Sequence, residues 1–143
     1  MNRHGTATGR TGTTLVEVTV VICVLGVLLA LVVPSYRRAV EQSRAQVAAA
    51  NLRAIWAAQR AYWLEHQTYA ATLSELGPLL DSTTLSSPYY SYTIVSADSS
   101  TFTARATRTG SSKWSGQFTI DQTGGTTGAI QAAGEVNIVP GFE

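Results

Sequence analysis

Residues 15–33 read LVEVTVVICVLGVLLALVV, a run of 19 positions in which only Glu17, Thr19 and Gly26 are not strongly apolar. No helical face of this segment is polar, so a water-soluble amphipathic helix is ruled out. A bilayer core of about 30 Å needs roughly 20 such residues in a helix, so the run is read as a membrane-spanning segment. The first twelve residues, MNRHGTATGRTG, carry Arg3, Arg10 and three glycines without hydrophobic periodicity. An ordinary secretory signal is the rival reading. It fits less well, because its apolar region is typically about 7–15 residues and a small-residue cleavage site should follow. Here PSYRRAVEQ follows instead. Arginines lie on both sides of the run, so the positive-inside rule does not set the topology.

Glu17 is the informative residue. A carboxylate at the centre of a spanning helix costs about 2.5–3.5 kcal/mol on insertion scales. Near one end it can snorkel at lower cost, yet it still calls for a cationic partner. The run itself contains no Lys, Arg or His. Either Glu17 is a snorkelling end-of-helix acid, or its partner comes from another chain.

The residues Gly12-Thr13-Thr14-Leu15-Val16-Glu17-Val18, the long apolar run, Gly26 and Pro34-Ser35-Tyr36 together resemble the prepilin signature of type IV pilins and type II secretion pseudopilins. The resemblance implies cleavage after Gly12 by a prepilin peptidase, removal of a 1–12 leader and N-methylation of the new terminus, Thr13. The family usually places phenylalanine where this chain has Thr13. It further implies that Glu17 meets the N-terminal amine of a neighbouring subunit, which would supply the missing cation. The expected partners are then other copies of the chain, related pilins and an inner-membrane assembly platform. Storage would be single-pass in the inner membrane, before assembly into an extracytoplasmic filament. Within the resemblance, a pilus subunit and a secretion pseudopilin are both open. A membrane-anchored domain that never polymerises is the reading from outside it.

Pro34 lacks a backbone N–H and its ring opposes the carbonyl of Ala30, and Gly26 is a weak helix former. Residues 13–34 are expected as the hydrophobic membrane and filament-core helix, and the pair marks where it is expected to bend or locally melt. From Ser35 to about His66 the chain reads as one helix, rich in alanine and free of Gly and Pro. Ala45, Ala48, Leu52, Ile55, Trp56 and Trp63 recur at helical spacing. Such a stripe needs cover, and both tryptophans are expected as contacts to a sheet. Residues 68–87 read as a loop with a possible short helix at 72–76. Strands are expected at Tyr89–Val95, Thr101–Thr107 and Trp114–Ile120, with a weaker fourth near Glu135–Val139. An antiparallel sheet with one face on the helix closes the core. The expected class is α+β and pilin-like: a long N-terminal helix on a small antiparallel sheet, with 35–143 as the extracytoplasmic head.

Nothing in the composition argues for catalysis. The two histidines, His4 and His66, lie far apart, and His66 reads as a helix-end surface group. Cys23, the single cysteine, sits in the apolar run, where thiolate stabilisation is lacking. No disulfide within the chain is possible. Asp81, Asp98 and Asp121 fall in separate loops, and no calcium or zinc spacing occurs. Gly124–Gly128 lacks the GK[ST] ending of a phosphate loop and reads as a turn. No enzyme, cofactor or metal is expected. Arg105, Arg108 and Lys113 with Tyr89, Tyr90 and Tyr92 could offer an aromatic-basic surface to single-stranded nucleic acid. Three basic residues in a chain of net charge +1 are a thin footprint, and nucleic acid is the lesser partner.

Overall fold

The computed structural model describes residues 12–81, 83 and 85–141, with the side chains of 31–34 outside that set. All of the leader but Gly12 therefore lies outside the described residues. Two compact units divide between Ala39 and Val40. One helix, α1 (Leu15–His66), contributes to both.

In the first unit α1 presents an apolar surface on every side. Leu15, Val16, Val20, Ile22, Val27 and Leu29 are all exposed. Apolar side chains spaced at every helical phase cannot be hidden by packing one face, and no described residue covers them. This helix is long and apolar enough to cross a membrane.

In the second unit, α1 packs on a four-stranded antiparallel sheet in the order β1 (Tyr90–Ala97), β2 (Phe102–Arg108), β3 (Ser115–Asp121), β4 (Thr126–Gln131). The class is α+β and pilin-like, as expected. Strand alternation does the sorting. In β2, Phe102, Ala104, Ala106 and Arg108 are buried while the residues between them are half-buried. The helix answers with Ala45, Ala48, Leu52 and Ile55, all within 2% of complete burial. Small alanines on both surfaces let the backbones approach, and Phe102, Phe118, Ile120 and Ile130 fill the remaining volume.

Three strands fall within about two residues of expectation, and the fourth does not. The expected strand near Glu135–Val139 is only a single bridge, Ile130 to Ile138. The fourth strand is Thr126–Gln131, which overlaps the glycine-rich stretch read as a turn. Glycine lowers strand propensity, but Gly128 faces Phe118 across the ladder with φ +102°. The close approach there needs a residue without a Cβ.

The stretch 72–76 forms no regular helix. Its bonds are successive i→i+3 turns, Leu76 N–H to the Leu73 carbonyl and Gly77 N–H to the Ser74 carbonyl. Gln59 holds this return segment in place. It is fully buried, and its side chain accepts from the Ala70 N–H and donates to the Ala70 carbonyl, both at 2.8 Å. Replacing Gln59 with Leu keeps helix propensity but orphans two buried backbone groups. Each costs about 1–3 kcal/mol. The expected outcome is a marked fall in melting temperature of the detergent-solubilised chain, read by tryptophan fluorescence, with loss of hydrogen-exchange protection at the Ala70 amide. An unchanged Ala70 amide would show that Gln59 is not what anchors the segment.

Candidate functional site

The bare helix begins with a local device that hydropathy alone does not reveal. Thr14 is the N-cap. Its Oγ1 accepts the Glu17 N–H at 3.2 Å, and its carbonyl accepts the Val18 N–H at 3.2 Å. Thr14-Leu15-Val16-Glu17 has the T-x-x-E spacing of a capping box, a signal that was present in the sequence. Glu17 thus sits in the first turn, where a carboxylate meets the positive end of the helix dipole. Thr13 lies one residue before the cap, in exposed non-helical chain, next to Gly12.

The three exceptions in the apolar run resolve differently. The Thr19 hydroxyl donates to the Leu15 carbonyl at 2.8 Å, so it needs no partner outside its own helix. Gly26 has no polar side chain, and a Cβ placed there would meet nothing within 4 Å. Packing within the chain therefore does not demand glycine at 26, nor at Gly12, whose surroundings are equally open. Glu17 remains. Its carboxylate forms no ion pair among the described residues, and it is exposed on a surface otherwise made of Leu, Val and Ile. One face of the helix end is thus charged, accessible and surrounded by apolar area.

The expected helix break is not present in the single chain. α1 runs unbroken through Gly26 and Pro34. A proline removes one hydrogen bond and crowds one carbonyl, at a cost of about 3 kcal/mol. The intact turns on either side still carry the helix.

The aromatic-basic surface considered from sequence is dismantled by the fold. Arg108 is buried and its Nε and Nη2 bind the two carboxylate oxygens of buried Glu41. Lys113 pairs with Glu135 at 2.8 Å. Tyr90 and Tyr92 are buried. The physical reason is register: Tyr90, Tyr92 and Arg108 all occupy inward positions of their strands. Trp56 packs against the core, as expected of it, whereas Trp63 is not among the residues of that cluster. Both are half-buried, and each indole N–H ties down a hairpin turn, Trp56 to the Gln122 carbonyl at 3.2 Å and Trp63 to the Ser99 carbonyl at 2.8 Å.

The remaining candidates are structural. His66 ends α1, exposed, with its ring 4.2 Å from that of Tyr62. Cys23 is a free thiol on the bare helix. The Ser100 and Thr101 N–H groups hold the Asp98 carboxyl below the ordinary carboxylate range, and the Thr123 hydroxyl, followed by the N–H groups of its turn, does the same for Asp121. Among the described residues no three metal-ligating side chains converge.

Comparison with known proteins agrees with this architecture. The family described as "Type IV minor pilin ComP, DNA uptake sequence receptor" matches residues 34–119, which lie beyond the apolar run and so add to its signal. The type II secretion system core protein G of Pseudomonas aeruginosa is 38% identical over 71 residues, half of this chain and half of that protein. The type IV major pilin protein PilA of Myxococcus xanthus is 30% identical over 66 residues, 46% of this chain and 30% of that protein. The chain spans half the length, or less, of these curated relatives.

Proposed function

The chain belongs to the type IV pilin family, a family of structural subunits rather than enzymes, and from that premise we propose that it is a filament subunit held in the inner membrane as a precursor and assembled through its N-terminal helix. In this reading a prepilin peptidase cuts after Gly12, methylates Thr13, and hands the subunit to an assembly platform. The observation that carries it is the bare helix with one unpaired acid in its capped first turn. Apolar helices have no hydrophobic drive to associate inside lipid, so registry must come from packing and polar pairing. Cleavage would place an ammonium group four residues from Glu17. The dipole of its own helix disfavours that cation, and the carboxylate of a neighbour accepts it. Gly26 and Pro34 supply small bulk and a missing hydrogen bond where helices crowd in a filament.

Two measurements test this. Intact mass and amino-terminal sequencing of the mature protein should give Thr13 carrying one methyl group. An unprocessed Met1, or a terminus beyond Val33, overturns the assignment. Glu17→Gln should lower the yield of assembled filament at least about tenfold, the scale of one lost charge-assisted hydrogen bond of roughly 1.5–3 kcal/mol. Wild-type yield from that variant would mean that packing alone sets registry.

Two narrower readings have specific support. Similarity to a secretion pseudopilin keeps a secretion role beside a pilus role, and imaging of cells lacking the chain separates them. The family match to a DNA uptake sequence receptor favours nucleic-acid contact. On this chain the exposed arginines that accompany an aromatic ring are on α1, where Arg60 lies 5.1 Å from the half-buried Trp56.

A further inference from the structure

The charged ends of the apolar part of α1 are spaced like the two faces of a bilayer. Glu17 and Arg37 stand 20 residues apart on one unbroken helix, about 30 Å at a rise of roughly 1.5 Å per residue. That is the thickness of the hydrocarbon core. No charged residue lies between them. With the span centred in the bilayer, Tyr36, Arg37 and Arg38 fall together in the headgroup layer opposite Glu17.

Three observations set these residues apart. The first is exposure. Tyr36 is 68% exposed, and Arg37 next to it is exposed as well. A tyrosine suits this depth, because its ring lies against acyl chain while its hydroxyl meets water and headgroups. The second is charge. Neither Arg37 nor Arg38 forms an ion pair among the described residues. The nearest acid along the chain, Glu41, is already taken. Its side chain is 1% exposed, with both oxygens on Arg108 and one of them also on Arg44. The third is the side of the membrane. The two arginines follow the span, so in the reading proposed above they lie at the extracytoplasmic surface. The positive-inside preference gives no reason for cations there. A lipid phosphate does: guanidinium matches phosphate with a two-bond fork, and the long arginine stem carries its charge up to headgroup level along apolar surface.

We propose that Tyr36, Arg37 and Arg38 bind the phosphodiester of an anionic phospholipid, of the phosphatidylglycerol class, while the subunit is held in the membrane. The inference rests on the membrane storage in that reading and on no step of cleavage or assembly. A zwitterionic lipid carries its own cation beside its phosphate and gains less from the two arginines, so the site discriminates by headgroup charge. A lipid bound there fixes the depth of the helix, and with it the level of Glu17 at the opposite face.

The test uses the full chain in phosphatidylcholine bilayers with a trace of spin-labelled phosphatidylglycerol or phosphatidylcholine, reading the motionally restricted lipid by electron spin resonance. Arg3→Gln and Arg10→Gln are present throughout, so that the first twelve residues contribute no arginine. Phosphatidylglycerol should associate at least about fivefold more strongly than phosphatidylcholine, the scale of one arginine near an anionic surface. Adding Arg37→Gln and Arg38→Gln should bring the ratio close to one, with the head still folded by tryptophan fluorescence. Arg37→Lys with Arg38→Lys keeps the charge and should keep a preference for phosphatidylglycerol. Inorganic phosphate should compete no better than chloride at equal ionic strength, where both act only by screening. A ratio near one in the parent chain, an unchanged ratio in the Gln variant, its loss in the Lys variant, or specific displacement by inorganic phosphate overturns the proposal. Equal lipid affinities would unseat this site alone, whereas a mature terminus other than Thr13 would unseat the filament reading and leave the lipid preference standing.

Discussion

Arg108→Met is expected to destabilise the head by about 3–5 kcal/mol, whereas Arg108→Met combined with Glu41→Leu should cost far less or nothing. The side chains of Arg108 and Glu41 are 2% and 1% exposed, so both ions have lost nearly all hydration. Their mutual attraction and hydrogen bonds offset that loss. The Arg108 Nη2 donates to Glu41 Oε2 at 2.9 Å, and Nη1 donates to the carbonyls of Tyr89 and Thr109. Removing the arginine alone leaves a carboxylate in the core with only Arg44, at 3.3 Å, to answer it. Removing both ions replaces a balanced pair by apolar volume, and Arg44 is exposed enough to be solvated. The Tyr89 and Thr109 carbonyls sit at the half-buried edge, where water can replace the lost donor. Denaturant unfolding of the solubilised chain reads this directly, because Trp56, Trp63 and Trp114 all belong to the second unit. A double variant as unstable as the single one would show that the two carbonyls, rather than the stranded acid, set the cost.

The second large effect is expected at two glycines. Gly116 and Gly128 have φ of +131° and +102°, and a Cβ built on either would lie 2.2 Å from a backbone oxygen, that of Ala129 or Gln117 respectively. These two residues flank one rung of the β3–β4 ladder, Gln117 opposite Ala129. The obstruction is backbone on both sides, so no rotamer change relieves it and the strands themselves must part. Gly128→Ala should cost more than about 3 kcal/mol, beyond the 1–3 kcal/mol of backbone strain alone, and should strip exchange protection from the amides that bond across the β3–β4 ladder. Gly134 provides the control. Its φ is +75° but its surroundings are open, so Gly134→Ala carries only the left-handed penalty of about 1–2 kcal/mol. Equal losses for the two variants would mean that the close approach is not what glycine serves at 128.

The buried pair has a signature in the sequence. Glu41 stands at helical spacing ahead of Ala45, Ala48, Leu52, Ile55 and Gln59, on the stripe that faces the sheet. Arg108 follows Phe102, Ala104 and Ala106 on the inward face of β2. A charge of each sign at the end of each buried stripe is a sequence-level signal of a salt bridge between them. The T-x-x-E cap at Thr14 was equally visible. By contrast, Trp56 and Trp63 had apolar spacing yet serve as hydrogen-bond donors to turns, because an indole at the margin of a helix–sheet seam can satisfy its N–H there. The Ala70–Gln59 bonds had no sequence signature, since any loop backbone could have occupied that position.

What the sequence determined alone is whatever depends on near neighbours along the chain. That includes an apolar segment too uniform for water, the helix start at Thr14, the helical stripe and the alternation of three strands. Tertiary structure alone decided which distant groups meet: Glu41 with Arg108, Gln59 with Ala70, and Thr126–Gln131 rather than 135–139 as the fourth strand. Periodicity records only whether a residue faces inward. Which inward group it finds depends on closing loops of tens of residues, and on whether the approaching backbone leaves room for a Cβ.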